Sequence, residues 1–263
     1  MRVLLLGGTG NLGLRCTPAL IAHGHLLTVY VRNPSKLRSL LSTELLDSIN
    51  AVVVGDATNS AGLKKALIDH DIEAIVDVAG NQVLPWKEYV LPKIAKAIAD
   101  AALAVGKERG KPLRIWVTSG LFIMKKPGTN ATIQDNFPKL TMAQHEATRA
   151  VIEQFATADL KWSIIAVSGM TPQNPKQGLF QPLETPQKHN LLASATTLPA
   201  WRTSWIEYIP AIGPFIYGIY MALVYYLTEY EAMADFLAED LAIGNEEYIG
   251  KRVAVIKKSK KIV

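Results

Sequence analysis

The sequence predicts an α/β fold, a doubly wound parallel sheet with helices on both faces and a small apolar helical cap or insertion. Short apolar runs rich in branched residues alternate with longer helical patterns, a glycine-rich turn joins the first run to the first helical stretch, and a charge-free apolar segment interrupts the alternation late in the chain.

The strand candidates are residues 3–6, 27–31, 51–54, 74–78, 113–117 and 162–167, and their near-continuous apolar character fits burial on both sides of a sheet. Between them, residues 12–23, 63–69, 94–105 and 143–156 are long enough to serve as crossover helices. Residues 168–199 carry Pro172, Pro175, Pro182 and Pro186 and read as a long loop on the substrate side. After it come the apolar segment, a helical pattern over 232–243 and a last strand over 252–256 that returns the chain to the sheet.

The chain has 263 residues, 49% of them hydrophobic and 19% charged, which excludes a disordered or fibrous protein. One domain over 1–263 fits best, with the loop and cap insertion at 168–231. Lys and Arg number 28 against 23 acids, a net +5 that suits an anionic ligand and falls short of a nucleic-acid-binding stripe. Cys16 is the single cysteine, so no intrachain disulfide or cysteine zinc cage is expected, and no metal site is visible. Residues 3–6 are too short for a signal-peptide core and residues 260–263 match no lipidation or peroxisomal ending, so the expected location is the cytoplasm.

The turn reads Gly7-Gly8-Thr9-Gly10-Asn11-Leu12-Gly13, directly after a strand and opening a helix. That context makes Gly-x-Gly-x-x-Gly a dinucleotide signature: Gly8 for the tight turn, Gly10 for approach of backbone amides to a pyrophosphate, Gly13 for helix–strand packing. At the end of the second strand, where an acid would receive a ribose 2′-hydroxyl, the chain has Tyr30-Val31-Arg32-Asn33-Pro34-Ser35-Lys36. Arg32 and Lys36 there predict a 2′-phosphate and hence NADP(H), although Arg32 also reads as a solvated strand-end charge. Asp56 and Ala57 after the third strand, and Ala79-Gly80-Asn81 after the fourth, either line the adenosine site or make ordinary turns.

With these residues in hand, the chain resembles the atypical short-chain dehydrogenase/reductase superfamily, in the branch of NmrA-like proteins and flavin or biliverdin-IXβ reductases. The resemblance covers most of the chain. It rests on Gly-Gly-Thr-Gly-Asn-Leu-Gly, Val-Arg-Asn-Pro-Ser-Lys-Leu, Gly-Asp-Ala, Val-Thr-Ser-Gly at the fifth strand, Leu-Lys-Trp-Ser-Ile-Ile at the sixth, and the C-terminal Ala-Asp-Phe-Leu-Ala-Glu-Asp-Leu and Tyr-Ile-Gly-Lys-Arg-Val-Ala-Val. It implies a Rossmann fold and a nicotinamide cofactor, and leaves the substrate open.

The chain departs from the main reductase branch, whose Tyr-x-x-x-Lys follows the strand-end Ser. Tyr89 and Lys93 have that spacing but precede Ser119. The helix after Ser119 offers His145 and Arg149 on one face. His145 stands where the flavin and biliverdin reductases have a similar histidine, and reads as a proton donor or relay or as a helix-start surface residue. Ser119, with Thr118, reads as orienting a carbonyl or the nicotinamide carboxamide, or as a turn serine. Ser168, Gly169 and Met170 are expected at the nicotinamide end by strand-end logic, and Lys125 and Lys126 as a solvated pair.

Residues 209–227 form a 19-residue stretch without a charge. Pro210, Gly213, Pro214 and Gly218 interrupt it and four tyrosines make it amphipathic, so no membrane span is expected. A helix over 215–230 is expected instead, covering an apolar pocket or a partner subunit in a homodimer through 209–230, with membrane-surface contact as the lesser reading. Trp201, Trp205, Phe215 and Tyr217 are the expected lining for an apolar small-molecule substrate. Three activities fit: an NADPH-dependent oxidoreductase acting on a conjugated apolar molecule, an NmrA-like NADP(H)-binding sensor without turnover, and a non-redox isomerase or cyclase.

Overall fold

The protein is described here by a computed structural model covering residues 1–81, 88–210 and 212–260, without the side chains of residues 139–142 and 260. The expectation about the tail therefore lies largely outside the described residues.

The chain runs β1 (Arg2–Leu6), α1 (Asn11–Ala22), β2 (Leu26–Val31), α2 (Pro34–Leu40), α3 (Thr43–Asp47), β3 (Ala51–Val54), α4 (Ser60–Asp69), β4 (Ala74–Asp77), α5 (Leu91–Arg109) and β5 (Arg114–Gly120). It continues through α6 (Lys139–Glu153), β6 (Lys161–Val167), β7 (Met170–Thr171), β8 (Leu191–Ala195), α7 (Gly213–Tyr220), β9 (Thr228–Glu229), α8 (Tyr230–Ile243) and β10 (Lys251–Lys257). The main sheet has the order β3-β2-β1-β4-β5-β6-β10-β8, parallel throughout except that β8 pairs antiparallel with β10. This is the doubly wound arrangement the sequence predicts, and every strand it predicts is present.

The order reverses between β1 and β4, and a crevice opens there because the loops after those strands diverge to opposite faces. Leu6 aligns with Tyr30 on one side and Asp77 on the other, so β1, β2 and β4 end level and their loops share one rim. α1 and α8 cover one face over Val3, Leu5 and Val29, while α4, α5 and α6 cover the other over Leu4, Ile75 and Ile115. The alternation of residues along β1 between these two cores is the period of two that a strand imposes.

α1 is tied to α8 by polar contacts across more than two hundred residues. Arg15 Nε donates to Glu231 Oε1 at 2.8 Å with both side chains nearly buried, and the guanidinium lies over Phe180 and Tyr230. His23 Nε2 meets Asp235 Oδ1 at 2.8 Å, and His25 Nε2 the Ala238 carbonyl at 3.0 Å.

The structure differs from the sequence expectation in five elements. Residues 168–199 are not wholly loop: Leu191–Ala195 forms β8 and covers the edge of β10. α2 and α3 are additional short helices, capped by the Asn33 and Ser42 side chains, which accept from the Lys36 and Leu45 amides. β3 is only half-buried on one face, through Ala51 and Val53, with Val52 and Val54 exposed. The inserted helix runs from Gly213 to Tyr220, widens into a π-helical turn over Met221–Tyr225, and stops before β9 instead of reaching Tyr230. No helix among the described residues is long and apolar enough to cross a membrane.

Candidate functional site

A cleft of about 390 Å³ lies at the crevice, lined by Gly7, Thr9 and Gly10 after β1, by Tyr30 to Asn33 and Lys36 after β2, by Gly55 to Thr58 after β3, and by Val78 to Gly80 after β4. It thus gathers most of the residues expected to hold a dinucleotide.

The glycine turn is shaped by contact with the neighbouring strand. Gly7 takes φ +84°, and a Cβ there would meet the Val78–Ala79 peptide at 2.6 Å. The left-handed position is therefore Gly7, whereas Gly8 keeps an ordinary φ and is needed because a Cβ would strike Val29 at 2.7 Å. Gly13 lets α1 seat on the turn, since its Cβ would lie 2.0 Å from the Gly7 carbonyl oxygen. A Cβ at Gly10 would meet only that same oxygen, at 3.3 Å, so the chain leaves space beside Gly10.

Gly10 is the N-cap of α1 and supplies no side-chain cap, and the first turn carries no acid. The Asn11, Leu12 and Gly13 amides consequently stand at a helix N-terminus with its positive field, which suits a pyrophosphate. Arg32 and Lys36 are exposed at the rim and enter no ion pair among the described residues, so two cations face the cleft. Asp56 Oδ1 accepts from the Thr58 amide at 2.8 Å and hydroxyl at 2.7 Å, which with nearby Arg32 holds its carboxyl below the usual range. Asp56 thus builds the turn through one oxygen, and Ala57 lies beside it in the lining. These features fit a phosphorylated dinucleotide.

Tyr30, Asn33 and Thr58 also line the cleft, and the sequence did not single out roles for them. A Cβ at Gly55 would lie 2.0 Å from the Tyr30 hydroxyl oxygen and one at Gly62 2.8 Å from it. These two glycines make room for the tyrosine, a pairing visible only once β2 and β3 are adjacent.

Asn81 donates its amide to the Glu88 carbonyl, while its Oδ1 is buried without a partner among the described residues. Asp77 is buried at the end of β4, its Oδ1 accepting from the Ala79 amide, and burial pushes its carboxyl up to about 7. Thr118 donates its hydroxyl to the Asp77 carbonyl at 2.6 Å, linking β5 to β4 behind the rim.

The catalytic candidates separate. Ser119 is 1% exposed, and its hydroxyl donates to the His145 carbonyl at 3.4 Å. In this placement its hydroxyl is directed from β5 toward α6. The His145 ring itself packs on the end of β5: a Cβ built at Gly120 would lie 2.8 Å from its Nε2. Its Nδ1 is buried without a partner among the described residues, and burial lowers its pKa. Gln144 next to it accepts the Val90 amide through Oε1 and leaves Nε2 buried without a partner among the described residues. Arg149 pairs with Glu146 and Glu153.

Ser168, Gly169 and Met170 follow β6 but face the insertion. Ser168 donates to the Ala222 carbonyl, a Cβ at Gly169 would meet Leu227 at 3.1 Å, and Met170 pairs with Thr228 in the small β7-β9 ladder. They fix the insertion to the sheet. Lys126 is not solvated as expected: it pairs with Glu207 at 2.6 Å over the Trp201 ring. Trp201 packs edge-on against Tyr217, and Phe215 against Phe137, whereas Trp205 points outward at 74% exposure.

A family model described as NAD(P)H-binding matches residues 7–193. The chain matches no curated protein. Among solved structures it is similar to a Lactobacillus casei protein, with TM-score 0.64 at 17% identity over 98% of this chain and 99% of that one. It is also similar to a candidate NADH-flavin reductase of Streptococcus pneumoniae, with TM-score 0.61 at 15% identity over 98% and 100%. An oxidoreductase of Lactococcus lactis gives 0.58 at 14% identity over 98% and 91%. At these identities the likeness shows the fold alone.

Proposed function

The chain belongs to the NAD(P)H-binding family, and from that premise we propose that it is an NADPH-dependent oxidoreductase of the cytoplasm acting on an apolar, conjugated small molecule. The observation that supports this best is the pair of unpaired cations, Arg32 and Lys36, at the rim of a cleft whose floor is the glycine turn. A 2′-phosphate would give these side chains the direct ion pair they do not make among the described residues, Asp56 being near Arg32 without pairing with it, and Arg can meet a phosphate with two parallel hydrogen bonds.

Gly7 to Gly13 and the α1 N-terminus would hold the pyrophosphate, Asp56 and Ala57 the adenine end, and Ala79 to Asn81 the adenosine ribose. The bound nicotinamide supplies the hydride. His145 would donate or relay from Nε2, over the end of β5, the proton that the reduced substrate takes up, and burial, by lowering its pKa, makes the charged ring the stronger acid. The aromatic packing of Trp201, Tyr217, Phe137 and Phe215 would exclude water from the apolar side.

The test is NADPH oxidation by the purified protein against flavins, quinones, enones and tetrapyrroles, with NADPH and NADH affinities titrated in parallel. Turnover with preference for NADPH is expected. The inward turn of the Ser119 hydroxyl favours a second reading, an NmrA-like sensor. Tight NADPH binding with no oxidation across the panel would favour that sensor. Product formation without NADPH loss would assign the fold to a non-redox isomerase or cyclase.

A further inference from the structure

Tyr30 stands one residue before the end of β2, and its ring belongs to the core with Leu4, Leu6 and Leu63. It is 4% exposed, and a phenol so placed ordinarily finds a hydrogen-bond partner. This hydroxyl makes no hydrogen bond among the described residues, and Tyr30 lines the cleft. Two glycines leave space for its oxygen: a Cβ at Gly55 would lie 2.0 Å from it and one at Gly62 2.8 Å. At Gly62 the oxygen is the part of Tyr30 that comes close, so that glycine serves the hydroxyl and not the ring.

Asp56 follows Gly55 in the chain. Thr58 occupies its Oδ1, and its Oδ2 makes no hydrogen bond among the described residues. The lowered pKa of Asp56 keeps the carboxylate charged and able only to accept, while burial and the Asp56 charge raise the Tyr30 pKa, so the phenol keeps its proton and donates. One donor and one acceptor thus stand together at the end of β3.

We propose that this pair reads the base of the dinucleotide, the Tyr30 hydroxyl donating to N1 of adenine and the free Asp56 oxygen accepting from its 6-amino group. The inference rests on the dinucleotide reading of the cleft and adds to it the residue that sets base preference. Adenine carries the acceptor N1 beside an amino donor, whereas hypoxanthine carries a donor N1–H beside an oxo oxygen, the opposite order. In hypoxanthine the oxo oxygen would face the Asp56 carboxylate and the phenol would lose its acceptor, and a site built on hydrogen bonds rejects an analogue that leaves its groups unpaired. The 2′-phosphate suits this hydroxyl less well, because the Asp56 charge close to the phenol repels an anion.

The experiment is calorimetric titration of the full chain with NADPH, NADH and the hypoxanthine analogue of NADPH. The native chain should bind NADPH at least about tenfold more tightly than the analogue. Tyr30→Phe keeps the ring in the core and should lose about tenfold in affinity for NADPH and NADH alike, with little change for the analogue. Gly62→Ala, which crowds the oxygen, should also weaken NADPH binding, and should add nothing in the Tyr30→Phe background; it keeps the test available if Tyr30→Phe does not fold. Unchanged NADPH affinity in Tyr30→Phe, or equal affinity of the native chain for the two bases, would overturn the inference and leave the dinucleotide reading standing. A loss confined to NADPH, with NADH unchanged, would give the hydroxyl to the 2′-phosphate and overturn it as well. A native chain that binds none of the three would remove the dinucleotide reading and the inference with it.

Discussion

The His145 ring lies directly against the backbone of Gly120, close enough that a methyl group at Gly120 would sit 2.8 Å from the ring Nε2. The end of the central strand and the candidate proton carrier are thus one packed unit. Gly120→Ala should cost about 1–3 kcal/mol through overpacking and displace the ring. Urea unfolding would read the first effect, and the histidine proton resonances the second.

His145→Ala should remove the rise in NADPH oxidation that a charged proton donor gives as pH falls. Burial lowers the His145 pKa from 6.5, so the charged form is populated only in more acidic solution. An unchanged profile in the variant would dismiss the proton role, and folding can be checked in parallel by cofactor titration.

Arg32→Ala should weaken NADPH binding by about 2 kcal/mol, close to thirtyfold, and leave NADH binding nearly unchanged. Arg32 is exposed and unpaired, so its removal leaves no stranded partner among the described residues. Equal NADPH affinity in native and variant chains would sink the 2′-phosphate assignment.

Asp77 makes stability depend on pH in an unusual direction. Burial raises its pKa from 3.8 to about 7, so the folded chain holds a proton that the unfolded chain releases. Its favourable contribution is complete below the unfolded value and is lost as pH rises toward 7, a change of the order of 4 kcal/mol. Asp77→Asn keeps the acceptor for the Ala79 amide and should flatten this slope, raising stability near about pH 8 in urea titrations.

Glu231 joins three segments, accepting from Arg15 through one oxygen and from the Gln173 amide through the other. Glu231→Ala leaves the Arg15 charge nearly buried and unpaired, and should cost about 3 kcal/mol. Hydrogen exchange should quicken first around residue 173.

The framework was legible because its strands are short apolar runs set off by turn residues, and because the glycine turn falls between a strand and a helix. Some turn chemistry was also present but easily passed over, as with Asn33-Pro34 and Ser42, which start α2 and α3. β8 was not legible: Leu-Leu-Ala-Ser-Ala has weak strand character and becomes a strand because β10 offers it an edge. In the site, Arg32 and Lys36 were readable from their distance to the turn. The inward rotation of Ser119 was not, since it depends on where α6 crosses β5.

The clasp between α1 and α8 also sets a timetable for biosynthesis. The helix whose N-terminus forms the phosphate end of the cleft is held by residues 231, 235 and 238, more than two hundred positions downstream. A nascent chain that has emerged only through β6 has written its whole cofactor signature yet lacks this brace and the β10 partner of β6. Such long-range closure slows folding, so cofactor capture should wait until the segment from residue 231 to β10 has been made and docked.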